Sequence, residues 1–440
     1  MCPYNGTSAA TPEIVGSTTV PNRAPGVAEY LSNVLDEYKY HIWQRQDDER
    51  SMIISSPSLV QETLPMFKDR WCGGPEQHVS EFYHRIEPAL RLTSFLLNED
   101  YPLLWFCHFT FGERRRDEQG IYIVSTAYSH STDAIVRVRA NLKELGKVIS
   151  FLFMPREWNE KAWGMSFSGR KGFPRYFRHF KDHDFPPSRS RKGACHPVVA
   201  ISSKFQDYFR QDYSRKSTPG ERYRALYMFA VTLGHEIAHA YKQWLVRTGP
   251  SESKEEPRWC KRDKIHELGF SWETHIMGHV TDPTQSERGS FPYLCSLHLE
   301  DYSSLADRAV FVRKLKGHSK AEFTTRDVAG IHRQWTALTP SEFRGGKWFL
   351  DPKATAFLAS YQVIPLQWVM DWFSEDVMSR RRAEWELARC YKTTPLPDTF
   401  MIIYERNAKG IHIQRPLNPH FPIDCDIMQQ RRRLQANGGQ

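Results

Sequence analysis

The chain has 440 residues, 40% of them apolar and 25% charged, with 60 Lys and Arg against 51 Asp and Glu. This composition belongs to a folded globular protein and excludes both a disulfide-stapled miniprotein and an intrinsically disordered regulator. No run approaches the roughly 18 to 20 consecutive apolar residues of a membrane span, so no membrane partner is expected, and the formal charge of +9 allows weak attraction to nucleic acid or acidic partners without specifying either.

Residues 1–25 are rich in Thr, Ser, Pro and Gly and are expected to be disordered, as is the basic tail 426–440. The N-terminal stretch lacks the basic and apolar regions of a secretory signal. That points to an intracellular protein, cytoplasmic unless the Arg380-Arg381-Arg382 or Arg431-Arg432-Arg433 runs serve nuclear targeting. The eight cysteines form no CxxC pair and read as small buried groups or free thiols. One large domain is expected over 26–425, with a helical N-terminal part (26–110), a core (111–300) and a C-terminal helical part (301–425).

Apolar residues recur at helical spacing in 27–40, 59–67 and 79–97. Strands are predicted next: 121–127 is β-branched, and Ala134, Val136, Val138, Ala140 and Leu142 alternate with Arg137, Arg139 and Asn141. Residues 168–192 interleave Arg170, Lys171, Arg175, Arg178, Lys181, Arg189, Arg191 and Lys192 with Phe173, Tyr176, Phe177, Phe180 and Phe185. Such a segment can track and stack single-stranded nucleic acid, or act as a lid over a cleft. The favoured reading is a solvated loop whose rings pack on the body while its charges reach water.

The most legible element starts at Thr218-Pro219-Gly220-Glu221, where Thr218 can cap a helix, Pro219 suits its first position and Glu221 completes a capping box. An apolar helix of about 30 residues then runs to Gly249-Pro250, and a stretch so apolar belongs in the middle of a domain. A second helix is predicted over 266–276 and further helical patterns over 326–335 and 365–389. A hairpin follows in 401–414, turning at 407–410. The sum of these elements is α+β, predominantly helical.

The long helix contains His235-Glu236-Ile237-Ala238-His239, an HExxH motif. With 18 His and 51 acidic residues in 440, an acidic residue in that frame is expected by chance roughly 0.08 times. Residues four apart stack on one helix face, so the two imidazoles can take adjacent corners of a tetrahedral zinc site, with Glu236 placed beside them as general base on a water at the metal. The plainer alternative is two histidines satisfied by ordinary hydrogen bonds in a core helix.

On His235, Glu236 and His239 the segment 219–280 resembles the zincin superfamily of zinc metallopeptidases, in its gluzincin form. The resemblance implies a small mixed sheet beside the motif helix whose edge strand pairs with an extended peptide, and the strands in 121–142 would fit. It also implies zinc as cofactor and a peptide or protein as substrate. A catalytic zinc takes three protein ligands and a water, and gluzincins draw the third ligand, a Glu, from a helix downstream. Two residues qualify. At about 100° per residue the apolar stripe Ile265, Leu268, Trp272, Ile276 runs beside Glu273, while Glu267 falls with Ser271 and Thr274 on the polar side, which favours Glu273. Against that, Glu267-Leu268-Gly269-Phe270 is similar to the Glu-Gly-Phe run of zinc aminopeptidases with one residue inserted, and a helix starting late would free Glu267 to turn inward. The other carboxylate is expected to orient a histidine. His266 is a third option, and with it the site would resemble SprT-like proteases, which process proteins crosslinked to DNA, although the Cys cluster of those enzymes is absent.

No GxGxxG, GxxxxGK[ST] or GxSxG pattern competes for the chemistry. The expectation is a zinc-dependent hydrolase, most simply an intracellular metallopeptidase, with Glu236 as base and His235, His239 and either Glu267 or Glu273 as ligands. The competing expectation is a non-catalytic zincin-like module acting in protein or nucleic-acid binding. The presence of Glu236 argues against it, because a structural metal has no use for a general base.

Overall fold

The computed structural model describes residues 56–73, 77–156, 162–169, 177–187, 195–213, 217–248, 255–263, 265–282, 291, 294–307, 309–310, 322–327, 356–396, 401–407 and 410–417. The expectations for 1–25, 27–40, 328–335 and 426–440 lie outside these residues.

Helix α1 (Pro65–Asp69) is shorter than the helix expected over 59–67, because Ser58 and Leu59 both give their N–H groups to the Phe373 carbonyl at 2.9 Å. The next two helices, α2 (Val79–Leu96) and α3 (Asp100–Phe111), are followed by the antiparallel hairpin β1 (Glu113–Asp117) and β2 (Gly120–Val124). Gly120 turns the hairpin at φ +104°, a conformation that suits glycine. Residues 134–142 are not a strand. They belong to α4 (Thr132–Leu145), capped by the Ser131 hydroxyl, which accepts from Ala134 N–H at 3.1 Å. The alternation misled because Ala134, Val138, Leu142 and Leu145 also recur every three or four residues; these four are buried while Val136 is 56% exposed, so the helical period wins.

A mixed sheet does stand beside the motif helix, built from 150–201 rather than from 121–142. Its strands β3 (Ser150–Phe153), β4 (Gly164–Phe167) and β5 (Val198–Ile201) lie in the order β3-β5-β4, with β5 parallel to β3 and antiparallel to the edge strand β4. A short helix α5 (Ser203–Asp207) and a π-helical turn (Tyr208–Asp212) lead to α6 (Pro219–Thr248), the expected 30-residue helix. The Thr218 hydroxyl accepts from Glu221 N–H at 3.1 Å, and the Glu221 carboxylate accepts from Phe291 N–H at 3.0 Å, tying the helix start to the chain beyond it. As its apolar sequence requires, α6 is central: α2, α4, β4 and β5 pack on it, as do α7 (Leu268–Met277) and a later helix.

The C-terminal part departs from its helical expectation. Strands β6 (Val280–Asp282), β7 (Cys295–Tyr302), β8 (Glu322–Asp327) and β9 (Ala356–Val363) are followed by α8 (Leu366–Asp371) and α9 (Glu375–Ala388), then β10 (Met401–Asn407) and β11 (Gly410–Leu417). The strands form one antiparallel sheet in the order β6-β7-β9-β10-β11-β8. Arg326 thus sits in a strand, not the helix expected at 326–335. The helix expected over 365–389 is broken into α8 and α9, the latter capped by Ser374. The 401–414 hairpin is present, with Asn407 opposite Gly410. The fold is α+β.

In the described part of 168–192 the rings pack on the body, as the favoured reading of that segment expects. Phe177 and Phe185 are buried with Met165 and Phe167 of β4, and Phe180 packs on them. Gly164 and Ser166 of the same strand face α6, so Phe177 and Phe185 cover the opposite face of the sheet. These three rings are taken by the core and unavailable for stacking a base. Arg381 is buried with its guanidinium 4.5 Å above the Trp372 ring, and Arg382 pairs with Glu375 (2.8 Å) and Glu99 (3.3 Å), while Arg380 is exposed. Among the described residues no helix is long and apolar enough to cross a membrane, and the six described cysteines are free thiols.

His279 is 8% exposed against the Trp368 ring, and burial pushes its pKa down to about 3. A histidine folded neutral but charged when unfolded contributes stability that is complete above its unfolded pKa near 6.5 and is lost as pH falls from there toward the folded value. Urea unfolding at pH 7 and pH 5 should show His279→Gln losing about 2 kcal/mol less stability between the two than the parent chain.

Candidate metal centre

His235 and His239 lie one turn apart on α6, their ring centroids separated by 5.2 Å. Each ring is held at Nδ1 by a carboxylate: Glu273 Oε1 lies 2.7 Å from His235 Nδ1, and Glu256 Oε1 lies 3.0 Å from His239 Nδ1. Both Nε2 atoms are thereby aimed at one oxygen, Glu267 Oε1, which stands 3.1 Å from His235 Nε2 and in contact with His239 Nε2. These ligand atoms lie within 4.8 Å of one another, a spacing that could hold a metal ion among the described residues.

The late start of α7 decides which glutamate joins the histidines. Glu267 is the residue before its first turn, with extended backbone (φ −136°, ψ 122°), and its carboxylate accepts from Gly269 N–H at 3.2 Å and from Phe270 N–H. The periodicity argument for Glu273 counted Glu267 as helical and so turned it to the wrong side. Glu273, farther along α7, uses Oε1 on His235 and accepts from Thr281 N–H at 2.8 Å with Oε2. Its place is that of an orienting carboxylate. His266 is not brought into the group. It lies by the β1–β2 hairpin, its Cε1 3.6 Å from where a Cβ on Gly120 would stand.

Glu236 is buried beside the ligand group, 3.9 Å from His235 Nε2. Burial pushes its pKa up against the pull of the two imidazoles, and burial does the same to Glu273. For His235 burial disfavours the charge, but Glu267, Glu273 and Glu236 overcome it and push the pKa up to about 10. Burial works against the charge on Glu267 too, and the histidines overcome it, holding this carboxyl well below its usual range. Four buried carboxylates thus share a pocket with two histidines and one lysine, Lys242, whose Nζ is 3.5 Å from Glu256. Two ring nitrogens fixed by Nδ1 partners and one carboxylate oxygen are a donor set that suits a divalent cation of the zinc type.

The helices and sheet approach this centre more closely than a side chain would allow. A Cβ on Gly269 would overlap the His235 ring, one on Gly234 would overlap Trp272, and one on Gly164 of β4 would stand 2.6 Å from Glu236 Cγ. Glu256 and Gly164 were not found from the sequence. Glu256 lies 17 residues beyond His239 with no periodic relation to it, and only the folded contact reveals it. Comparison with protein-family models, with curated proteins and with solved structures finds no match for this chain.

Alanine at Gly234 or Gly269 must push α7 away from α6. Each substitution should destabilise the chain by about 1–3 kcal/mol in urea unfolding, as overpacking of a filled core does. A loss below 0.5 kcal/mol, the range of an ordinary surface change, would show that the approach of α7 is not tight.

Proposed function

We propose that this protein is a zinc-dependent hydrolase, most simply a peptidase, with its active site where α6 meets α7. The observation that carries this reading is the convergence of His235 Nε2, His239 Nε2 and Glu267 Oε1, with the Glu236 carboxylate alongside but outside the group. Zinc held by His235, His239 and Glu267 would supply a Lewis acid that acidifies a water and polarises a carbonyl oxygen.

The chain's own residues divide the remaining work. Glu273 and Glu256 accept from the two Nδ1 atoms and so leave Nε2 of each imidazole as the nitrogen that would face a metal. Glu236, with its proton affinity raised by burial, is suited to take a proton from the attacking water and return it to the leaving amine. Among the described residues strand β4 pairs with β5 on one side and is the last strand on the other, and its Gly164 abuts Glu236. An extended peptide could add to that edge by main-chain hydrogen bonds and bring a peptide carbonyl beside the base. This supports a peptide or protein as substrate.

Metal analysis by mass spectrometry should find about one zinc per chain in the wild type and near none in His235→Ala. Glu236→Gln should keep its zinc and lose about 10²- to 10⁴-fold in the hydrolysis of a peptide library. Zinc retained with no loss in Glu236→Gln would leave a structural metal in a binding module, and wild-type chain that takes up no zinc would remove the hydrolase reading altogether.

A further inference from the structure

Glu256 reaches the metal centre from a segment outside both motif helices. That segment runs against the β1–β2 hairpin as a short parallel neighbour of β2: Arg258 N–H donates to Ile121 O at 2.9 Å, Ile123 N–H donates to Arg258 O at 3.1 Å, and Tyr122 stands opposite Arg258. Successive side chains of an extended segment point to opposite sides. Glu255 accordingly serves the hairpin, accepting from Ile121 N–H at 3.1 Å and from Arg116 Nη2 at 2.7 Å. Glu256 serves the centre, with Oε1 on His239 Nδ1 and Oε2 accepting from Leu268 N–H at 3.0 Å.

The anchor behind Glu256 is strong for a loop. Arg258 is fully buried and donates to Gln119 Oε1 at 2.9 Å and to Lys261 O at 2.7 Å, and it pairs with Asp117 at the end of β1. Gly120, in the left-handed region between the two strands, leaves room for Glu255, whose Oε1 a Cβ there would overlap. The hairpin has no residue in the ligand group.

We propose that the β1–β2 hairpin is a positioning clamp for the metal centre, acting through Glu256. Reading the cluster as a metal site is the premise of this inference. By holding the segment 255–258, the hairpin places one carboxylate that fixes two things at once: the ring of His239, and the first residue of α7, next to Glu267. Two of the three ligands therefore depend on a group delivered from outside the helices that carry them. Glu256 is a positioning residue, since it acts through His239 and Glu267.

The test is zinc affinity, measured on the full chain by competition with a chromogenic chelator, together with the melting temperature of the metal-free protein. Glu256→Ala should weaken zinc binding about 10- to 100-fold, the loss typical of removing a carboxylate that orients a ligand. Glu256→Gln, which keeps an oxygen for Leu268 N–H but not the charge, should fall between Glu256→Ala and the wild type, and it carries the test if the alanine variant does not fold. Asp117→Asn removes the partner of Arg258 at the far side of the hairpin and should weaken zinc binding roughly 2- to 30-fold, the range of coupling through a packed network. A purely structural role predicts a lower metal-free melting temperature with zinc affinity within twofold of wild type in every variant, and that result overturns the clamp alone. A wild-type chain that binds no zinc overturns the clamp and the metal reading together.

Discussion

Taking a carboxylate out of water costs several kcal/mol unless donors or opposite charge compensate it, and Glu236, Glu256, Glu267 and Glu273 are all buried where α6 meets α7. Each of the last three is met by a defined set of donors. Glu273 has His235 and Thr281 N–H, Glu256 has His239 and Leu268 N–H, and Glu267 has the first N–H groups of α7. The arrangement leaves two imidazole nitrogens and one carboxylate oxygen directed at a single point. The rest of the architecture brings these side chains together.

The close approach of backbones follows from that requirement. The ring nitrogens on α6 and the Glu267 carboxylate can meet only if α6 and α7 nearly touch, as they do where Gly234 meets Trp272 and Gly269 meets His235. The sheet obeys the same rule through Gly164, which lets β4 lie directly on Glu236. Glu236, the candidate ligands and strand β4 therefore occupy one small region, while the aromatic side chains of 177–185 fill the sheet's other face.

Much of this was legible before any coordinates. The HExxH frame is local, and a helix of regular pitch carries His235 and His239 to one face whatever surrounds it. The cap at Thr218 and the hairpin at 401–414 are equally local, resting on short-range hydrogen bonds and turn chemistry. Where two periods coexist, local reading fails. Residues 134–142 satisfy both alternation and a spacing of four, and burial of Ala134, Val138 and Leu142 against the core chose the helix. Helical phase counted from 266 favours Glu273, whereas the Glu267-Leu268-Gly269-Phe270 run favours Glu267, and a helix start two residues later settles the matter for Glu267.

The amino-acid sequence by itself determined the α+β class, the central helix with its two histidines and glutamate, and the pair of downstream glutamates from which a third ligand could come. These depend on propensity, capping and a fixed repeat, all of which act within a few residues. Tertiary structure alone decided that Glu267 faces the histidines while Glu273 holds His235, that the mixed sheet comes from 150–201, and that Glu256 arrives from the flank of a distant hairpin. Those outcomes depend on which surfaces pack together and where a helix begins, and burial energy summed over the whole core sets both.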